Sequence, residues 1–211
     1  MAFSKYLDEA WQEADSGKRY EDGAWVDCDN AYRYEDEAWQ EALSVEPLYL
    51  IKDGVYQVDF TEIPYWETMS YSEVTENPTN GYVQIQTQGY SMRAIITTDA
   101  INLKRYNTIN IEADAQIKLA SVSYENHATT GVYPEIPETI TTGNPAKKRE
   151  GCLLYHFFYT MRGQITTAFK TANAAVDISN IDQDGHIFMG TTSWNLSDEY
   201  SKLRIKNLWL S

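Results

Sequence analysis

Residues 6–47 read YLDEAWQEADSGKR, YEDGAWVDCDNAYR and YEDEAWQEALSVEP, three copies of one phrase in a fixed register of 14 residues. Tyr6, Tyr20 and Tyr34 align, as do Asp8, Asp22 and Asp36, and then Trp11, Trp25 and Trp39. Self-similarity at a fixed period marks an array of units, each too small to bury an apolar face alone. In the middle copy Asp22-Gly23 lies between Tyr20 and Trp25, which is a tight hairpin turn flanked by residues able to meet across the strands. The outer copies carry Glu9 and Glu37 in place of the glycine, and Phe3, Leu7, Ala10, Trp11 and Ala14 also fit a helical stripe. The shared register favours hairpins; short helices are the alternative. The six rings Tyr6, Tyr20, Tyr34, Trp11, Trp25 and Trp39 are the candidate assembly residues, either as a shared internal core or as a seam between copies.

Charge divides the chain at the same place. Residues 1–47 carry a net −9 of the chain's −14. An acidic array repels nucleic acid and anionic membrane surfaces, and suits solubility, a basic protein partner or cation-screened assembly. We therefore expect two domains: an acidic Trp-repeat array over 1–47 and a larger domain over 48–211. No apolar run approaches the roughly 20 residues that span a bilayer. MAFSKYLDEAW lacks the apolar segment of a signal peptide, so synthesis and residence in a cytoplasm are expected. Cys28 and Cys152 are too far apart to read as a metal or redox pair, and both are expected as reduced thiols.

The larger domain reads as β-structure. Leu48, Leu50, Val55, Val58 and Phe60 are strand-like around an Asp53-Gly54 turn. YVQIQTQ, from Tyr82, alternates as a half-buried strand must. Further strands are expected over Arg93–Thr97, Thr108–Ala113 and Ile117–Tyr124. HATTGVYPEIPETITTGNPAKKREG, residues 127–151, is polar, holds three prolines and the basic cluster Lys147, Lys148 and Arg149, and reads as an exposed excursion. The run from Cys152 to Met161 reads as a continuous apolar strand of the core. QITTAFKT, two strands around Asp184-Gly185 and KLRIKNLWLS complete the pattern. Nine or ten short strands with hardly any helix argue a two-sheet antiparallel sandwich.

Catalytic constellations are sparse. A glycosidase needs two carboxylates at a set separation, and Glu62 and Glu67 near Tyr65-Trp66 are the available pair; they read better as exposed loop residues. His127, His156 and His186 are scattered, and His156 reads as a satisfied residue of an apolar strand. Asn180-Ile-Asp182-Gln-Asp184-Gly185 has the oxygens and glycine of half a calcium loop. Thr191 stands where the bidentate Glu belongs, so a hairpin turn is the better reading. Tyr65, Trp66, Tyr71, Tyr90, Tyr133 and Trp194 are candidate sugar-stacking rings, because ring faces match apolar sugar faces.

Several phrases carry a resemblance. TDAINLKRYNTINIEA is similar to "IDLTNYNTLKIDV" of jelly-roll domains in tailed-phage and gut-bacterial surface proteins. AVDISNIDQDGHIFMGT resembles their "LDVSSLSGSYYIGI" strand pair, and SKLRIKNLWLS their final "VKIYNIWLE" strand. Together these span residues 97–113, 174–192 and 201–211. YEDGAWVD resembles the "YDNGAWVEA" hairpins of structural proteins from phages of Gram-positive hosts, and departs from the longer choline-binding repeat. The resemblance implies an all-β chain in which the array precedes a carbohydrate-binding-module-like jelly roll. It implies a non-enzymatic structural component of a tailed-phage particle (tail, baseplate, fibre or capsid decoration), located in the virion and contacting other virion proteins. It implies no cofactor, with structural calcium in some jelly rolls of this kind. A homo-oligomer, a trimer first, follows from closure around a symmetry axis. The alternative is a glycan-binding module, a receptor-binding part or a bacterial surface lectin; a third reading is a polysaccharide depolymerase. No nucleic acid and no membrane insertion are expected.

Overall fold

The computed structural model describes residues 46–64, 72–88, 90–118, 125–137, 151–162, 168–194 and 200–211, together with six strands within residues 1–45. The chain divides into two compact units, Met1–Glu46 and Pro47–Ser211. No helix among the described residues is long and apolar enough to cross a membrane.

The first unit contains three antiparallel hairpins. Strand β1 (Phe3–Leu7) pairs β2 (Ala10–Ala14), β3 (Lys18–Glu21) pairs β4 (Ala24–Asp27), and β5 (Tyr32–Glu35) pairs β6 (Ala38–Glu41). The register is the same in each: Tyr6 stands opposite Trp11, Tyr20 opposite Trp25 and Tyr34 opposite Trp39. The backbone of all three copies is thus strand, where the sequence left a helix open for the outer two. Identical local spacing gives the three copies one backbone register.

The second unit is an all-β sandwich. Its strands are β7 (Leu48–Lys52), β8 (Val55–Tyr56), β9 (Phe60–Pro64), β10 (Ser72–Asn77), β11 (Tyr82–Gln88), β12 (Tyr90–Thr97), β13 (Ile101–Asn102), β14 (Thr108–Lys118), β15 (Glu125–Tyr133), β16 (Leu154–Arg162), β17 (Lys170–Thr171), β18 (Ala174–Asp177), β19 (Asp184–Trp194) and β20 (Tyr200–Leu210). Among the described residues, one sheet has eight strands along β10-β11-β20-β14-β17, with β7, β8 and β18 attached. The other has six along β16-β15-β19-β12-β9, with β13 attached. The chain passes repeatedly from one sheet to the other, which is jelly-roll winding.

The eight-stranded sheet is built on two long strands. β14 and β20 pair antiparallel from Ile109–Leu210 to Lys118–Tyr200, with a register shift between Glu112 and Ala113. β11 alternates strictly, with Val83, Ile85 and Thr87 buried and Tyr82, Gln84 and Gln86 half-buried. One face therefore meets the core and the other solvent. The Asp53-Gly54 turn joins β7 to β8 with both residues at positive φ, 50° and 73°. A Cβ on Gly54 would lie 2.0 Å from Tyr82 N, so glycine is required there on space as well as on conformation.

Three expectations are corrected. His127–Tyr133 is not part of an excursion: it forms most of β15, and every residue from Asn126 to Tyr133 is buried. Thr and Gly looked like loop chemistry, but in a strand covered on both faces small side chains are what closely packed neighbours permit. Conversely, the apolar run after Cys152 forms β16, which ends the six-stranded order instead of sitting in its middle; its residues Leu154–Thr160 are half-buried or exposed, and His156 is exposed. The segment before Asp184-Gly185 is not a hairpin turn. It carries the chain from β18 in one sheet to β19 in the other.

Candidate functional site: the outer face of the six-stranded sheet

Which face of this sheet points inward follows from one bond. Thr191 Oγ1 on β19 lies 2.6 Å from Ser201 Oγ on β20, across the two sheets. Side chains alternate along a strand. Ile187, Met189 and Thr191 therefore line the interior, and His186, Phe188 and Gly190 lie on the outer face. Register extends that face sideways. Phe188 stands opposite Ile96 on β12 and Gly131 on β15, and Gly131 stands opposite Tyr155 on β16.

On this face the sequence builds a second small core. Ile63, Ala94, Ile96, Tyr133 and Phe188 are buried together, and Cys152 and Tyr155 pack against them half-buried. Gly131 makes the arrangement possible. A Cβ there would lie 2.1 Å from Leu154 O and 2.6 Å from Phe188 Cε1, so the Phe188 ring lies directly over the β15 backbone. Tyr155 then stacks on Phe188, with centroids 5.5 Å apart and planes at 24°. Tyr133 meets Phe188 from the other side at 5.4 Å. Phe157 meets the edge of Tyr155 at 5.1 Å, and His127 lies on Phe157 at 4.3 Å. The result is a continuous run of rings, Tyr133–Phe188–Tyr155–Phe157–His127, whose half-buried members Tyr155 and Phe157 project from β16.

Polar groups border the run. His127 Nδ1 is 3.1 Å from Thr160 Oγ1, and the His127 amide donates to Thr192 Oγ1 at 3.0 Å. At the opposite end His186 Nδ1 lies 2.9 Å from Thr97 O, which makes that nitrogen the N–H donor. Both imidazoles are buried, so the groups of this surface open to a ligand are the half-buried Tyr155 and Phe157 rings and the exposed Thr160 hydroxyl.

Of the expected ring residues, Tyr90, Tyr133 and Trp194 lie among the described residues. Tyr133 is 4% exposed and packed in the cluster, so its ring is not offered to a ligand. Tyr90 and Trp194 stand opposite each other in the β12–β19 backbone register. Tyr65, Trp66 and Tyr71 lie outside the described residues, as do Glu67, Cys28 and the Lys147–Arg149 cluster. Glu62 is on β9 and accepts a hydrogen bond from Arg93 Nη2 in an ion pair, which occupies the carboxylate weighed for catalysis. Tyr155 and Phe157 escaped the sequence reading because a run of apolar residues looks the same at a sheet's edge as at its centre. The signal that could have found them is Gly131 inside a strand, which marks close approach of another group to the backbone.

The Asn180–Gly185 segment is organised by protein contacts. Lys104 Nζ lies 3.1 Å from Asp182 Oδ1. Just before it, Asp177 accepts from both the hydroxyl and the amide of Ser179, at 2.7 and 2.9 Å, and those bonds hold its carboxyl below the usual range. Among the described residues no group of three or more His, Cys, Asp or Glu is placed to hold a metal. Cys152 is half-buried, with Sγ 3.2 Å from Val132 O.

The architecture is that of a jelly-roll β-sandwich. No protein-family model matches the chain, and no curated protein does. Solved structures with a similar sandwich include the xylan-binding module CBM22-2 of Paenibacillus barcinonensis Xyn10C, at TM-score 0.38 and 10% identity over 78% of this chain and 98% of that one. The family 11 carbohydrate-binding module of Clostridium thermocellum, in complex with a mixed-linked tetrasaccharide, gives 0.42 and 11% over 80% and 96%. The enzymatically active domain of tailspike protein 4 from bacteriophage CBA120 gives 0.42 and 7% over 78% of this chain and 22% of that one. The likeness is one of architecture and is carried no further.

Proposed function

We propose that the sandwich is a non-enzymatic glycan-binding module and that its contact surface is the outer face of the six-stranded sheet. The observation that carries this reading is the run of packed rings from Tyr133 to His127, whose half-buried members Tyr155 and Phe157 lie beside Thr160. Rings already held by their neighbours lose little freedom when a sugar stacks on them. A glycan array on the full chain tests it, repeated with Tyr155→Ala and Phe157→Ala. The expected result is binding that falls at least tenfold in each variant while the fold is kept. Absence of binding at high protein concentration, or binding indifferent to both substitutions, removes the reading.

A second reading is favoured by the N-terminal unit: a structural component of a tailed-phage particle, in which the hairpin array anchors the sandwich and Trp11, Trp25 and Trp39 form an assembly seam. Its support is the phage-like hairpin phrase and the common Tyr–Trp register of the three repeats. Mass spectrometry of purified particles tests it, and light scattering on the full chain tests the trimer. The two readings are compatible, since a particle protein can carry the glycan-contacting surface.

A further inference from the structure

Four neighbouring strands, two from each sheet, change character at one level of the interior. Along β11 the inward row runs Val83, Ile85, Thr87, and along β20 it runs Ile205, Leu203, Ser201. Along β19 it runs Ile187, Met189, Thr191, Ser193, and along β12 it passes from Ile95 to Arg93. The apolar members are fully or almost fully buried, and so are Thr87, Thr191, Ser193 and Ser201, none more than 2% exposed. Register places the polar members together. Thr87 is the partner of Ser201, Arg93 is the partner of Thr191, and Ser193 is the next inward residue beyond Thr191.

One bond joins the two sheets at this level, that between Thr191 Oγ1 and Ser201 Oγ, and Thr191 Oγ1 also donates to His127 O at 3.2 Å. Around it three atoms are buried with no hydrogen-bond partner among the described residues: Thr87 Oγ1, Ser193 Oγ and Arg93 Nε. Arg93 Nη2 is paired with Glu62 at the flank of the sandwich. A buried hydroxyl or N–H without a partner forfeits its hydration, and native interiors rarely leave three such groups at one level. Thr87, Ser193 and Arg93 are inward residues of β11, β19 and β12 on either side of the Thr191–Ser201 bond, so both sheets supply donors and acceptors at this level, and a buried water makes about three hydrogen bonds to groups of this kind.

We propose that this end of the sandwich holds an internal water site, in which ordered water bridges Thr87 Oγ1, Ser193 Oγ and Arg93 Nε between the two sheets. The water accepts from Arg93 Nε–H and is free to donate to the two hydroxyl oxygens. The sandwich then has a dry end, lined by isoleucine and leucine, and a hydrated end closed at the side by the Arg93–Glu62 pair. This inference does not depend on the glycan reading.

Thr87→Val in the full chain tests it, because valine keeps the shape and removes the hydroxyl. With bridging water the substitution removes one of its partners, and Tm falls by about 3–8 °C. In a dry interior the same change removes an unpaired hydroxyl, and Tm stays level or rises, which overturns the proposal. Should Thr87→Val fail to fold, Ser193→Ala is measured with the same two outcomes. A high-resolution crystal structure of the unaltered chain decides independently: water within hydrogen-bond distance of at least two of the three atoms supports the site, and its absence there overturns it.

Discussion

The two sheets of the sandwich bury themselves differently. β11 in the eight-stranded sheet alternates buried with half-buried residues, so one face is core and the other is a polar surface. On that surface the Arg204 guanidinium lies over Tyr82 at 4.3 Å and over Phe169 at 3.7 Å, while its Nε donates to Gln84. β15 in the six-stranded sheet has no alternation, since every residue from Asn126 to Tyr133 is buried. This jelly roll therefore has a second packed layer on the outside of one sheet, made of rings over a glycine floor. A layer of that kind, half-open at β16, is where a ligand surface can form without disturbing the inter-sheet core.

The largest effect is expected at the glycine floor. Gly131→Ala is expected to cost about 3 kcal/mol or more, or to abolish folding, because the new Cβ meets the Leu154 carbonyl as well as the Phe188 ring. Chemical denaturation measures it, and a cost below about 1 kcal/mol would show the outer layer to be soft. Next comes a matched pair. Phe188→Ala should cost about 3–5 kcal/mol and Ile85→Ala about 2–5 kcal/mol, since both side chains are fully buried, one in each layer. A Phe188 cost far below that of Ile85 would reduce the outer cluster to a surface feature. On the polar face Arg204→Ala should cost only about 0.5–2 kcal/mol, the range of a partly desolvated cation–π contact. A larger loss would mean that this face too is structural core.

The smallest effect concerns pH. Burial, and then the carboxylates of Glu76 and Glu62, raise the Tyr56 phenol above its ordinary value near 10. The folded protein keeps this proton after the unfolded chain has lost it. The contribution is therefore intact below about pH 10 and declines as pH rises beyond it. Urea midpoints of the unaltered chain should fall more steeply above about pH 10 than those of Tyr56→Phe. Parallel curves for the two proteins would leave Tyr56 without a role in alkaline unfolding.

Legibility in the sequence followed the burial pattern. YVQIQTQ was readable because a strand with one wet face must alternate, and Asp53-Gly54 because a two-residue turn at positive φ demands such residues. The jelly-roll phrases at 97–113 and 201–211 correspond to elements that close on each other, with the Asn107 and Thr108 amides donating to Ser211 O at 2.8 and 2.9 Å. His127–Tyr133 was misread because a strand buried on both faces loses its period, and Thr-Thr-Gly resembles loop composition. The ring run was illegible for a related reason. Its members come from β15, β16 and β19, and no local spacing connects Phe157 to His127 or Tyr155 to Phe188.

From the sequence come the β class and the 14-residue period of the repeats, with a hairpin legible in the middle copy alone, since these depend on contacts within a few residues along the chain. It also marked where the alternating strands and Asp-Gly turns lie, because alternation and positive φ are local demands. Which sheet is covered on both faces, that β16 ends the strand order of its sheet, and that Gly131 supports a ring instead of a turn depend on the folded arrangement of the strands. It likewise brought Thr87, Arg93, Ser193 and the Thr191–Ser201 pair to one level of the interior. The physical reason is that burial and ring stacking are sums over neighbours from distant strands, and strand order fixes those neighbours.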